Sequence, residues 1–232
     1  MINPLGVGGF QLLGALTTDN GRGALACRPF DASRRGTVLG EGATMLVLEP
    51  LERARAAGKR ILAEVCGYGS TLDAYSLSAP DPDGDGAVRA MRAALDDAGI
   101  SKDQVDHINA HGTGTQLNDE IEAKAIRDVF ADRWEDIPVS ATKSVTGHLI
   151  GAAGAIETGA SLVPIVTGLL PPNPSLERVA QGCELNHVTR KGTKFTGEYV
   201  LSNSFGFGGQ NATLVLRCIR GNGNSSARGM LP

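Results

Sequence analysis

Short apolar runs alternate with stretches of helical spacing along most of this chain, and Gly, Pro or Asp marks each change of period. Residues 43–49 (Ala-Thr-Met-Leu-Val-Leu-Glu) predict a strand, and Pro50 opens a predicted helix over 51–58. Residues 60–68 return as a second strand. The Pro-, Asp- and Gly-rich stretch 73–86 predicts a loop and the best candidate domain boundary. Val88, Met91, Ala94 and Leu95 recur at helical spacing over 86–98, and Gly99 stops that helix. Residues 105–109 are too short and too apolar for anything but a buried strand, and Asn118-Asp119 precede a predicted helix over 120–130. A further strand is expected at 138–141 and a helix of small residues at 152–166. Two last strands, 199–203 and 212–219, flank the glycine turn Gly206-Phe207-Gly208-Gly209. Strands alternating with helices imply an α/β fold with parallel pairs, whose ligands gather where strand ends meet loops.

Composition narrows the classes. The chain has 232 residues, 41% of them hydrophobic, enough to bury a core. A net charge of −3 gives no electrostatic footprint for nucleic acid. The apolar stretch 150–170 is broken by Gly, Pro, Glu and Thr, so no membrane partner is expected from it. Nothing at the start reads as a secretory leader. Cys27, Cys66, Cys183 and Cys218 are scattered without a Cys-x-x-Cys pair, which argues against a metal site or a redox motif and for reduced thiols in the cytoplasm. Glycine is the anomaly at 31 residues, and these glycines punctuate apolar runs, as backbones that turn tightly or approach closely require. The polar segment 221–232 reads as a disordered tail.

Two histidines stand in glycine- and hydroxyl-rich settings: His111 within Asn109-Ala110-His111-Gly112-Thr113-Gly114-Thr115, and His148 after Thr142-Lys143-Ser144-Val145-Thr146-Gly147. Each is placed just past a predicted strand. An imidazole beside Thr113 and Thr115 suits carbonyl polarisation or proton transfer, with Asp119 and Glu122 near enough in sequence to fix its tautomer. Lys143 brings a positive charge to the second motif, and Glu157 is spaced to pair with it.

These two motifs, together with Asn203-Ser204-Phe205-Gly206-Phe207-Gly208-Gly209, resemble the β-ketoacyl-[acyl carrier protein] synthases, most closely the type II enzymes of fatty acid synthesis. The resemblance runs from Pro4 to about Ile219. It implies a thiolase-like layered fold (α-β-α-β-α), present here as the C-terminal half (76–220) plus the tail end of the N-terminal half (1–75). It also implies an acyltransferase that performs a decarboxylative Claisen condensation and works as a dimer. The implied partners are acyl carrier protein, acyl and malonyl thioesters, and an N-terminal ketosynthase half or homodimer partner. No resident cofactor is implied, because phosphopantetheine is carried by the carrier protein. In that scheme His111 and His148 polarise the malonyl thioester, Lys143 and Glu157 set their charge and orientation, Thr113 and Thr115 bind the phosphopantetheine arm, and Phe207 acts as a gate. Phe205 is assigned to the same substrate-binding set, although plain packing is the commoner fate of a Phe at a strand end.

The resemblance also implies a nucleophilic cysteine upstream of the segment around Pro4–Phe10, and none of the four cysteines replaces it. The expectation is therefore a truncated or split ketosynthase. The alternative is a subunit that binds carrier protein or decarboxylates malonyl thioesters without condensing them.

Overall fold

The computed structural model describes residues 2–188 and 193–219, so the predicted tail at 221–232 lies outside the described residues. Five strands form one mixed sheet in the order β1-β5-β4-β2-β3: β1 is Ala63–Leu72, β2 Val105–Asn109, β3 Val139–Ser140, β4 Tyr199–Gly206 and β5 Gln210–Cys218. Strand β2 pairs in parallel with β3 and β4, while β5 runs antiparallel to β4 and β1. The helices are α1 Pro4–Leu12, α2 Leu51–Ala56, α3 Asp85–Ala98, α4 Gln116–Phe130, α5 Lys143–Thr146 and α6 Ala153–Thr167.

The period-two alternation of β4 divides the core. Leu201 faces a large cluster in which α3 and α4 contribute Met91, Leu95, Ile126 and Phe130. Its neighbour Val200 faces the other side, against Leu162 and Ile165 of α6. Helices therefore cover both faces of the sheet. Helix α3 sits unusually close to β1 because Gly67 and Gly69 face it: a Cβ on either would come within 2.2 Å and 2.0 Å of the Ala94 and Ala90 carbonyl oxygens. The small residues Ala87, Ala90 and Ala94 complete that fit from the helix side.

Several expectations shift. Strand β1 begins and ends later than predicted, and it lies in the same sheet as β2–β5, so one sheet is built from both sides of the loop at 73–86. Helix α4 starts earlier, at Gln116, because Asp119 turns inward toward the preceding loop and is not its N-cap. The run at 43–49 is not a strand. It has no ladder partner among the described residues, and Met45 and Val47 are 91% and 85% exposed, since an extended apolar segment becomes a strand only beside another. The 18 residues Ile150–Thr167 are long and apolar enough to cross a membrane by length and composition. Here α6 packs on the sheet and buries Glu157 and Ser161 in its middle.

Topology places the chemistry. Strands β2, β3 and β4 are mutually parallel through Asn109, Ser140 and Ser202, so their carboxyl ends share one edge of the sheet. His111 follows β2, Lys143 follows β3, and Phe205 lies at the end of β4. The two sequence motifs, some thirty residues apart, therefore meet in space as strand-end ligand sites do.

Candidate active site

Four consecutive backbone amides define the loop after β2. Glu122 accepts from His111 N at 2.7 Å and Gly112 N at 2.8 Å, and Asp119 accepts from Thr113 N at 3.0 Å and Gly114 N at 3.2 Å. Both carboxylates are buried, one turn apart on α4. They orient the loop and do not touch the His111 ring, which corrects the expectation that they fix its tautomer. Burial pushes the Glu122 carboxyl up to about 7, against the pull of those amides. It pushes Asp119 up too, where the Phe30 and Gly114 amides, Asn118 and Arg34 oppose it.

With its amides turned to α4, the loop turns the His111 carbonyl and ring toward Lys143. The buried Lys143 ammonium donates its three N–H groups to three acceptors: His111 Nδ1 at 3.1 Å, His111 O at 2.5 Å and Glu157 Oε1. This pairing crosses from the one-turn helix α5 to the middle of α6. Burial raises the Glu157 carboxyl and Lys143 opposes the rise.

His148 is fixed by its backbone first. His148 N donates to Val38 O at 2.7 Å, and Gly40 N donates to His148 O at 3.0 Å. Its Nδ1 then accepts from Ile150 N at 3.1 Å. In both histidines, then, Nδ1 accepts, so the neutral ring carries its proton on Nε2. The rings meet edge to face with centroids 5.4 Å apart. Burial, then Lys143, then each other's proximity hold His111 well below the ordinary imidazole range, and burial followed by Lys143 holds His148 down to about 3. Two neutral imidazoles thus leave two Nε2–H donors for whatever they face.

What they face is a cavity of about 630 Å³, lined also by Thr113, Thr115, Phe205 and Phe207. The hydroxyls of Thr113 and Thr115 are 2.9 Å apart. Phe205 sits 5.8 Å from the His111 ring and packs against the core, whereas Phe207 is half exposed on the β4–β5 turn, 6.0 Å from Phe10 of α1. No cysteine lines this cavity. Burial lifts the Cys27 and Cys183 thiols to about 11, the opposite of an activated nucleophile. Among the described residues no group of three or more His, Cys, Asp or Glu side chains converges as a metal site needs.

Two supporting residues were not among the candidates the sequence assigned to the site. Arg34 is buried, donates to Thr115 O at 3.0 Å and Gln116 O at 2.9 Å, and lies 3.7 Å from Asp119. Asn203 donates to Glu122 Oε1 at 3.2 Å while accepting from Thr213. The charge run of residues 28–35 and the Asn that opens the glycine motif were their only traces.

Comparison with known proteins gives the same picture. The family model described as "Beta-ketoacyl synthase, C-terminal domain" matches residues 62–177, and "Beta-ketoacyl synthase, N-terminal domain" matches residues 1–54. A protein of Coxiella burnetii named 3-oxoacyl-[acyl-carrier-protein] synthase 2 is 47% identical over 213 residues, 92% of this chain and 51% of its own. The protein of that name in Synechocystis is 44% identical over 216 residues, 93% of this chain and 52% of its own. Among solved structures, a type II polyketide ketosynthase in complex with its acyl-carrier protein (AntDE:AntF) superimposes with a TM-score of 0.90 at 35% identity, covering 94% of this chain and 54% of that one. A beta-ketoacyl synthase of Burkholderia phymatum gives 0.89 at 37%, covering 94% and 53%. The chain spans about half the length of the curated relatives it matches. Its sheet, flanked by helices on both faces, is a portion of the layered thiolase-like fold of these neighbours. With both family models matched in order along it, and relatives similar over nearly all of it, the chain belongs to the beta-ketoacyl synthase family.

Proposed function

We propose that this chain carries the malonyl-side chemistry of a 3-oxoacyl-[acyl-carrier-protein] synthase of fatty acid biosynthesis. The observation that carries the reading is the pair of neutral imidazoles, 5.4 Å apart on one cavity, each with Nδ1 engaged and Nε2–H free. In a malonyl thioester, the bond between the carboxylate carbon and the α-carbon breaks, carbon dioxide leaves, and the electron pair becomes an enolate whose charge rests on the thioester oxygen. Two N–H donors aimed at that oxygen lower the barrier because its charge grows as the bond breaks. The enolate carbon then takes a proton, or attacks an acyl thioester and expels its thiolate. Lys143 fixes the His111 ring and Glu157 balances Lys143. Thr113 and Thr115 hydrogen-bond the phosphopantetheine arm, and the half-exposed Phe207 gates its entry. The reaction so written uses no resident cofactor.

The acyl-accepting thiol is proposed to come from outside the residues described, since none of the four cysteines lines the cavity. The partners proposed are acyl carrier protein, as named for the AntDE:AntF structure, and a second ketosynthase polypeptide. The ketosynthase paired with a chain length factor from Xenorhabdus doucetiae is a precedent for such pairing. Four free cysteines fit a reducing cytoplasm. Release of carbon dioxide from malonyl-pantetheine tests the reading. His111→Ala or His148→Ala is expected to slow it by roughly 10²-fold or more, and unchanged release from both variants would sink the proposal. Condensation is expected only when a polypeptide supplying the missing thiol is added.

The second reading, a carrier-protein-binding or decarboxylating subunit that does not condense, is favoured by the same lack of a cavity thiol. It is distinguished by decarboxylation that persists while the added polypeptide yields no condensation product.

A further inference from the structure

Beside the ledge formed by the Thr113 and Thr115 hydroxyls lie two adjacent arginines with opposite fates. Arg34 is buried and spent on the carbonyls of Asp31, Thr115 and Gln116 and on Asp119. Arg35 is exposed and lines the cavity; among the described lining residues it is the sole Lys or Arg. No ion pair or side-chain hydrogen bond among the described residues engages it. Asp73, the cavity's one carboxylate, is occupied by Asn211 at 2.6 Å and Asp81 N at 3.1 Å.

The backbone beneath Arg35 is rigid. Thr37 N donates to Ala15 O at 2.8 Å, Thr17 N donates to Thr37 O at 2.9 Å, and Gly36 N donates to Gly114 O at 2.9 Å. Gly36 has φ +120°, and a Cβ there would lie 2.6 Å from the Leu16 carbonyl carbon, so the segment admits no other residue without shifting. That last hydrogen bond joins Arg35's segment to the loop between Thr113 and Thr115. An unclaimed guanidinium is thus held beside the ledge, on a platform that costs little to order on binding.

We propose that Arg35 is a specificity residue for the phosphate end of the thioester-bearing arm, so that this cavity prefers phosphopantetheine over its dephosphorylated form. A phosphate dianion suits an exposed arginine that has no competing carboxylate, through charge-assisted N–H donation. The inference rests on the proposed thioester reading of the cavity.

The test is binding of phosphopantetheine and of pantetheine to the full 232-residue chain by calorimetry, at low and high salt. Wild type is expected to bind phosphopantetheine about fivefold more tightly, the size of an exposed charge pair, with the preference fading at high ionic strength. Arg35→Gln is expected to bring both ligands to the affinity of pantetheine, and Arg35→Glu to invert the preference. A preference that survives in Arg35→Gln, or equal affinities in wild type, overturns the inference. Thr113→Val and Thr115→Val are the control on the underlying reading: if neither weakens pantetheine binding, or if pantetheine does not bind at all, the thioester cavity itself is wrong and Arg35's role falls with it.

Discussion

At the scale of single residues, Lys143 links charge, tautomer and position. Only 1% exposed, it satisfies all three of its protons on His111 and Glu157. Lys143→Met removes the cation from beside a buried carboxylate and is expected to cost about 3–5 kcal/mol, read from urea unfolding midpoints. Adding Glu157→Leu should recover most of that loss, because two apolar side chains replace a buried pair without leaving a charge behind. If the double variant is no more stable than Lys143→Met, the pair is not the dominant contact. The same ammonium is what keeps the His111 proton on Nε2. Nitrogen NMR of the imidazoles should find both rings as Nε2–H tautomers from pH 8 down to pH 6, with no step near the ordinary histidine pKa of about 6.5. Protonation of either ring in that range would contradict its depressed pKa.

At the scale of elements, α4 works as a two-toothed clamp on the loop after β2. Because Glu122 holds the first two amides and Asp119 the next two, the teeth are separable. Asp119→Ala is expected to speed hydrogen exchange at Thr113 and Gly114 by roughly tenfold, equivalent to ~1.4 kcal/mol of local stability, while His111 and Gly112 keep their protection. Exchange rising equally at all four amides would mean that the loop opens as one unit. The elements themselves were largely legible in sequence. The sequence marks strand β2 to the residue and α3 to within one, because each carries its signal internally: Val105 and Ile108 in one, Val88, Met91 and Leu95 in the other. The apolar run at 43–49 misled because an apolar strand is stable only beside a neighbour, and pairing is not written in the segment itself. In the site, the histidines and Lys143 stood out through their motifs. Arg34 did not, because its buried role is created by a loop some eighty residues away in sequence. Asp119 looked like a helix cap for the same reason: the amides of Phe30, Thr113 and Gly114 that donate to it reach it only after folding.

At the scale of the whole molecule, burial sets two groups of ionisable residues against each other. All four histidines are held below their ordinary pKa, His107 to about 3 by burial alone. Glu122, Glu157 and Asp119 are raised. A histidine that stays neutral when folded but takes a proton when unfolded lets the unfolded state bind more protons. Its contribution is complete above pH 6.5 and is lost as pH falls, by about 1.4 kcal/mol per unit until the folded pKa is reached. A raised carboxyl does the reverse. Glu122, with a folded value of about 7 against an ordinary 4.5, makes the folded state the better proton binder between those values, so its penalty is relieved as pH falls through that window. Net stability between pH 7.5 and 5.5 is therefore a difference of opposing slopes, and single variants should expose each. His107 lies in the core with Nε2 donating to Ser140, which itself donates to Pro171 O, so His107→Gln keeps a donor while deleting the titration. Urea unfolding at the two pH values should find that wild type loses about 1.4 kcal/mol more than His107→Gln on acidification, since only one of the two units lies below 6.5. Glu122→Gln should show the opposite sign, losing more than wild type because it no longer gains from proton uptake. Parallel losses in all three proteins would mean that His107 and Glu122 titrate as if they were exposed, and burial would not set the slopes.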